Sequence, residues 1–138
     1  MLVHATTVDI VGLGVLILGP PGAGKSDLAL RLIADGALLV ADDQTDIELR
    51  GEELWVTAPA KIAGLIEARG HGIVPVATKR AARLVLAVEL APAPERMPER
   101  RSWSLPGSAV QIPLIELAPF EASTPAKLRF VLSQLPAP

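Results

Sequence analysis

The stretch Gly19-Pro20-Pro21-Gly22-Ala23-Gly24-Lys25-Ser26 is a glycine-rich loop that ends in Gly-Lys-Ser. A short apolar run precedes it at residues 15–18, and a helix-forming segment follows it at residues 27–34. This order of strand, loop and helix is that of a phosphate-binding loop, whose glycines let successive backbone N–H groups point at phosphate oxygens. The sequence therefore predicts a nucleotide-binding site in the phosphate loop, as residues 19–26 are called below.

Two side chains at the end of the phosphate loop suit nucleotide chemistry. Lys25 would reach the β- and γ-phosphates of ATP, and the Ser26 hydroxyl would coordinate Mg²⁺. Pro20 and Pro21 lack N–H groups, so the backbone donors are expected further along the loop. A turn that binds no ligand is the alternative, and the flanking strand and helix disfavour it. The predicted nucleotide-binding residues are Gly19, Gly22, Ala23, Gly24, Lys25, Ser26 and Asp27.

Size and composition narrow the function classes. The chain has 138 residues, half of them hydrophobic, which predicts one domain over residues 1–138. A net charge of −2 gives no general attraction to nucleic acid or to an anionic membrane. No apolar run is long enough to cross a bilayer, so a cytoplasmic location is expected. With no cysteine and only two histidines, any metal is expected to be Mg²⁺ held by oxygen ligands.

A pair of adjacent acids follows the second buried run of the chain. Residues 37–41 form an uninterrupted apolar segment that predicts a strand, and Asp42 and Asp43 come directly after it. If this strand runs beside the one that enters the phosphate loop, both carboxylates emerge at the edge where ligands bind in open α/β sheets. One carboxylate could then bind the metal while the other accepts a proton. A cap and turn pair is the alternative.

Periodicity predicts the other elements. His4 and Asp9 are expected on one strand that forms a hairpin with residues 15–18, with Asp9 on its exposed face. A second hairpin is expected around residues 50–53, and Glu67 should end a short helix. Residues 91–107 are rich in proline and are expected to be irregular. Further predicted elements are the helix at 27–34, strands at 73–76, 83–89 and 110–117, and a last helix at 126–135.

Four separated signatures resemble the catalytic domain of the bacterial HPr kinase/phosphorylase family, in a short form without the N-terminal domain. They are His4 with Asp9 five residues later, the phosphate loop, the pair Asp42-Asp43, and Glu67-Ala68-Arg69-Gly70-His71-Gly72-Ile73, which is similar to the family's E-x-R-G-x-G-I signature. The resemblance spans about residues 1–120. It implies an α/β fold in which a mixed, phosphate-loop-containing sheet has flanking helices, as in phosphoenolpyruvate carboxykinase.

The resemblance implies an activity and a partner. Family members use ATP and Mg²⁺ to phosphorylate a serine of HPr, a small phosphocarrier protein of the phosphotransferase system. They also remove that phosphate with inorganic phosphate and release pyrophosphate. The family is hexameric, so a homo-oligomer is expected. Other phosphotransferase-system proteins are further candidate partners, whereas nucleic acid and membranes are not expected.

The resemblance also assigns roles to single residues. It implies that Ser26, Asp42 and Glu67 would bind Mg²⁺ and that Lys25 would hold the phosphates. The acidic pair would supply a metal contact and the base for the serine hydroxyl, and the base is assigned to Asp43. The predicted catalytic set adds His4, which orients the acidic pair, and Arg69, which stabilises the transferring charge; its members are Asp43, Asp42, His4, Lys25 and Arg69.

The sequence departs from the family pattern at two places. Pro21 stands where the family usually has a polar residue. Residues 119–125 replace a basic, glycine-containing segment that the family associates with the phosphorylase direction, so the sequence leaves that direction open. Two other functions remain as alternatives. One is a regulatory ATP-binding module that binds phosphotransferase-system proteins without kinase activity, and the other is a small-molecule kinase, which ordinarily needs a longer chain.

Overall fold

The computed structural model describes residues 1–136 as a mixed α/β fold. Its helices are α1 (Lys25–Ala34) and α2 (Thr124–Gln134), with a short 3-10 turn at Ala60–Ile62. The strands are β1 (Leu2–Val3), β2 (Thr6–Ile10), β3 (Leu13–Leu18), β4 (Leu38–Ala41), β5 (Thr45–Arg50), β6 (Glu53–Thr57), β7 (Leu65–Ala68), β8 (Gly72–Pro75), β9 (Ala81–Leu90), β10 (Arg101–Ser104) and β11 (Gln111–Leu117).

Nine strands form one sheet, and β7 and β8 form a separate hairpin. The main path of the sheet runs β1-β5-β6-β9-β3-β2-β4, and β11 adds to β9 and carries β10 on its other side. The pairs β3 with β9 and β9 with β11 are parallel, whereas β2 is antiparallel to both β3 and β4. The mixed sheet predicted from the resemblance is therefore confirmed.

Both faces of the central strands are buried, in two separate cores. Along β3, Val15 and Ile17 face the core that contains both helices, and Leu16 faces the other core. Both predicted helices are present and pack on this core, since Leu28 on α1 and Leu128 on α2 are fully buried in it. The second core takes residues from β5, β6 and β11, and both β6 and β11 pair with β9.

A glycine with positive φ lies at each end of α1. Gly24, with φ of 104°, precedes the first residue of α1. Gly36, with φ of 102°, ends α1, where its N–H donates to the Ile33 carbonyl and the Ala37 N–H donates to the Leu32 carbonyl. These two bonds are those of a Schellman motif, which needs a left-handed residue at this position, and glycine adopts that conformation without steric cost.

The carboxyl ends of four strands lie at one edge of the sheet. Because β2 is antiparallel to both of its neighbours, β4 runs in the same direction as β3, and β9 and β11 are parallel to β3 as well. The segments that leave β3, β4, β9 and β11 therefore meet at one edge, called the carboxyl edge below. Ligands of open α/β sheets bind at such an edge.

Several sequence-based expectations were wrong. Strand β4 lies beside β2 rather than beside β3. The helix expected before Glu67 is a 3-10 turn followed by β7, because Gly64 takes a left-handed φ of 80° and interrupts any helix. Part of the segment expected to be irregular forms β10. Asp9 is buried rather than exposed, and its carboxylate accepts the Gly12 N–H at 3.0 Å in the hairpin turn.

Gly14→Ala is expected to lower the free energy of unfolding by about 2 kcal/mol or more, the usual scale of overpacking against atoms that cannot move. A Cβ at Gly14 would lie 2.6 Å from the backbone oxygen of Arg83 on β9. Urea unfolding measures the loss as a lower midpoint at unchanged slope. The matched control is Gly107→Ala, whose Cβ would meet no atom within 4 Å and which carries only a left-handed backbone cost. Equal midpoints for the two variants would contradict the close approach of β3 and β9.

None of the helices within residues 1–136 is long and apolar enough to span a membrane.

Candidate functional site

The phosphate loop joins β3 to α1 at the carboxyl edge. Gly22 and Gly24 take φ angles of 81° and 104°, which L side chains rarely adopt, so the loop depends on glycine at both positions. Lys25 is the first residue of α1 and is only 8% exposed. Its Nζ donates to the Gly19 carbonyl at 2.6 Å and to the Pro20 carbonyl at 3.3 Å. The lysine side chain thus folds back over its own loop, with its ammonium group at the first two carbonyls of the loop.

Backbone N–H groups at the start of α1 are available to an anion. The first-turn N–H groups, those of Lys25, Ser26 and Asp27, have no carbonyl partner inside a helix, and the helix dipole adds positive charge there. The Ala23 N–H differs, because it donates to the Pro20 carbonyl at 3.0 Å within the loop. The Asp27 carboxylate accepts from Arg31 Nε at 3.1 Å and so points along the helix.

Asp42 is the hub of the hydrogen-bond network at the carboxyl edge. Its Oδ1 accepts from the Ser26 hydroxyl at 2.5 Å and from the Thr6 hydroxyl at 2.9 Å. Its Oδ2 accepts from the Glu67 backbone N–H at 3.0 Å. The side chain is 8% exposed. One carboxylate therefore ties the phosphate loop to β2 and to β7, although β4 itself is two strands away from β3.

Asp43 has a strained backbone. Its φ is 67°, and the Gln44 N–H donates to the Asp42 carbonyl at 2.8 Å, which closes a three-residue turn around it. A turn of this kind with positive φ is rare and costs energy, and such strain is found preferentially at functional sites. The Asp43 N–H donates to Thr6 Oγ1 at 3.1 Å. Within residues 1–136 the Asp43 carboxylate accepts no hydrogen bond, and the residue is exposed.

The other predicted residues lie around this network with fewer contacts. Glu67 is on β7, where its backbone contacts Asp42 and its side chain is exposed. His4 is in a bend between β1 and β2, and Arg69 is in the turn between β7 and β8. In the described part of the chain, neither His4 nor Arg69 makes a side-chain hydrogen bond or an ion pair. Their predicted roles stay predictions.

Thr6 is a member of the network that the sequence did not reveal. Its hydroxyl donates to Asp42 and accepts from the backbone of Asp43, so it fixes both acids. Thr6 is fully buried at the start of β2, which brings it to the carboxyl edge because β2 is antiparallel to β4. A buried threonine at a strand start gives no chemical signal in the sequence alone, and only the strand pairing shows what it contacts.

The donor set at Asp42 fits Mg²⁺. A serine hydroxyl and a carboxylate oxygen at hydrogen-bond distance are the hard oxygen ligands that this ion prefers. No cluster of three or more His, Cys, Asp or Glu side chains suited to a metal occurs in residues 1–136. Mg²⁺ commonly takes one or two protein carboxylates and completes its shell with water and substrate phosphates. The residues present therefore suit an ion that arrives with a nucleotide.

The family model and the curated relatives that match this chain carry the name HPr kinase. A family model described as the HPr Serine kinase C-terminal domain matches residues 1–91. An HPr kinase/phosphorylase of Exiguobacterium sp. is 50% identical over 76 residues, which are 54% of this chain and 24% of that protein. One from Lactiplantibacillus plantarum is 49% identical over 75 residues, with the same two shares of 54% and 24%.

A solved structure is also similar over nearly the whole chain. It is described as the Hpr(Ser) kinase/phosphatase from Coxiella burnetii, and it superposes with a TM-score of 0.82 at 28% sequence identity. The superposition covers 96% of this chain and 94% of that one. The sequence matches to the curated relatives, by contrast, span only about a quarter of the length of those proteins.

Proposed function

The chain belongs to the HPr serine kinase C-terminal domain family, and we propose that it transfers the γ-phosphoryl group of ATP to a serine of an HPr-like phosphocarrier protein. The observation that carries this proposal is the contact between the phosphate loop and the acidic pair. Ser26 and Asp42 meet at 2.5 Å, and the exposed Asp43 is the next residue. A kinase needs a phosphate and metal site within reach of a base, and the closeness of these residues supports that arrangement.

The phosphate loop would hold the nucleotide. The first-turn N–H groups of α1 and the Lys25 ammonium would neutralise charge on the β- and γ-phosphates. Ser26 and Asp42 would hold Mg²⁺, with Glu67 as a further ligand from the neighbouring hairpin. When bound, this ion supplies positive charge that offsets the negative charge of the phosphates. The strained turn keeps Asp43 beside this site without using its carboxylate.

Asp43 is the proposed general base. It would take the proton from the acceptor serine while the serine oxygen forms a bond to the γ-phosphorus and the bond to the β-phosphate oxygen breaks, which releases ADP. Its carboxylate is exposed and makes no internal hydrogen bond in residues 1–136, so it can face an incoming hydroxyl. Asp42 suits this role less, because both of its oxygens already accept hydrogen bonds.

Two exposed residues complete the proposed catalytic set. Arg69 lies on the turn that follows Glu67, from which a long side chain could move toward the transferring phosphate. His4 lies two residues before Thr6, the residue that holds both aspartates, so it could tune the acidic pair through β2. The reverse phosphorylase reaction, the cytoplasmic location and a homo-oligomer, a hexamer by family resemblance, remain proposals of the same kind.

A transfer assay tests the proposed function. Purified protein, Mg²⁺ and labelled ATP are incubated with an HPr-like protein of the same organism, and mass spectrometry locates any phosphate. We expect phosphoserine on the carrier and none when the carrier is omitted. Tight ATP binding without transfer would instead favour the regulatory ATP-binding module. Transfer to small metabolites alone would favour the small-molecule kinase.

A further inference from the structure

A cavity of about 600 Å³ lies against the phosphate loop, and Asp42 is not among the residues that line it. One wall is formed by residues 20–23 of the loop, and a second by Leu90 and Pro92, which end and follow β9. The third wall is residues 118–121, which follow β11. The cavity therefore occupies the same carboxyl edge as the site described above, and it shares backbone with the phosphate loop.

The chemistry of the walls excludes another phosphate site. Glu121 carries the one ionisable side chain among the residues that line the cavity, and the remainder are proline, alanine, glycine, leucine and phenylalanine. The volume falls in the range of small-molecule pockets, which are mostly apolar with few polar groups. A flat, uncharged group suits such walls better than an anion does.

Phe120 contributes the one aromatic ring among the residues that line this cavity. The ring touches the phosphate loop, since a Cβ built on Gly24 would lie 2.8 Å from its Cζ atom. The residue is nevertheless 65% exposed, so most of the ring is left without a protein partner. A large apolar side chain that touches a ligand-binding loop and remains open to solvent is available for stacking.

The wall that carries Phe120 is fastened to both helices. Arg31 on α1 donates to the Pro119 carbonyl and, at 3.3 Å, to the Glu121 carbonyl. The Thr124 hydroxyl at the start of α2 donates to the Ala118 carbonyl at 2.5 Å. Since α1 begins inside the phosphate loop, Arg31 couples the position of the ring to that of the loop. Phe120 is thereby held at a fixed place beside the phosphate loop.

We propose that this cavity binds the base of the nucleoside triphosphate whose phosphates lie in the phosphate loop, and that Phe120 is the stacking residue. The proposal rests on the proposed nucleotide function and deepens it. The cavity is continuous with the phosphate loop, because residues 20–23 belong to both. A nucleotide whose phosphates lie in the loop would therefore have its base beside or inside the cavity. Stacking on an aromatic ring tolerates every base, so the walls supply affinity more than selectivity.

The test compares Phe120→Ala with wild type for two ligands, Mg²⁺-ATP and Mg²⁺ with inorganic triphosphate, by titration calorimetry. We expect about a tenfold weaker affinity for ATP, the scale of one lost stacking interaction, and an unchanged affinity for triphosphate, which has no base. Phe120→Trp is expected to retain the wild-type preference for ATP. The matched control is Phe130→Ala, which removes an equally exposed phenylalanine, 66%, from α2 outside the cavity.

The outcomes separate this proposal from the one on which it rests. If ATP affinity is the same in Phe120→Ala and wild type, or if ATP and triphosphate weaken equally, the stacking role is overturned while the phosphate site stands. If wild-type protein binds triphosphate as tightly as ATP, the base contributes nothing and the cavity has another use. If the wild type binds neither ligand, the proposed nucleotide function itself fails, and the base site with it.

Discussion

Lys25→Ala is expected to reduce phosphate transfer to the carrier by about 10³-fold or more, the upper range for loss of one charged group at a reacting phosphate. The lysine is nearly buried, so water cannot replace its charge easily. It also donates to the carbonyls of Gly19 and Pro20, and these bonds link the start of α1 to the start of the loop. The substitution therefore removes both a phosphate contact and a contact that shapes the loop.

Initial transfer rates at saturating ATP, with ATP affinity measured separately, test this expectation. Lys61→Ala is a suitable control, because Lys61 is an exposed lysine of the 3-10 turn and lies outside the phosphate loop. Circular dichroism of both variants shows whether the fold survives. Unchanged transfer by a folded Lys25→Ala protein would remove the phosphate-loop mechanism.

Asp43→Asn is expected to lower transfer by about 10²-fold or more while ATP affinity stays near the wild-type value. The amide is isosteric with the carboxylate but cannot accept the serine proton. The backbone should tolerate the change, because asparagine, like aspartate, is enriched in the left-handed region that Asp43 occupies at φ of 67°. The network through Thr6 uses the backbone N–H of residue 43 and is kept.

The experiment measures transfer rate and Mg²⁺-dependent ATP affinity on the same samples. Asp35→Asn serves as the control, since Asp35 is an exposed aspartate just beyond α1. If Asp43→Asn loses ATP binding along with transfer, Asp43 belongs to the metal site and the base must be sought elsewhere. If neither quantity changes, the acidic pair has no catalytic role at this position.

The features that sequence predicts well here are local ones. The order of strand, glycine-rich loop and helix at residues 13–34 follows from glycine positions and from helical periodicity, and the structure has that order. The predictions that failed concern strand pairing between distant segments and one segment in which a turn forms instead of a helix. Nothing in residues 37–41 shows that β2 inserts between β3 and β4, because such pairing depends on segments far apart in the chain. The helix expected before Glu67 failed because Gly64 takes a left-handed turn.

The candidate site shows the same division. Asp42 was predicted at the correct edge even though its strand neighbour was wrong, because β4 and β3 share a direction. The contact between Ser26 and Asp42 is therefore where the sequence suggested. Thr6, Arg31 and Phe120 were not found, since each acquires its position through a contact with a distant segment. For His4 and Arg69 only the resemblance supplies a role.

The parallel pairing of β3 with β9 has a consequence for biosynthesis. Ile17, just before the phosphate loop, pairs with Val88, so the strand that supports the loop has no partner on that side until β9 has been synthesised. Contacts of such sequence separation form slowly, because a long chain segment must be closed first. A nascent chain that has emerged from the ribosome only through α1 contains the whole nucleotide motif without the scaffold that shapes it. The loop should thus reach its folded shape only after β9 has been synthesised.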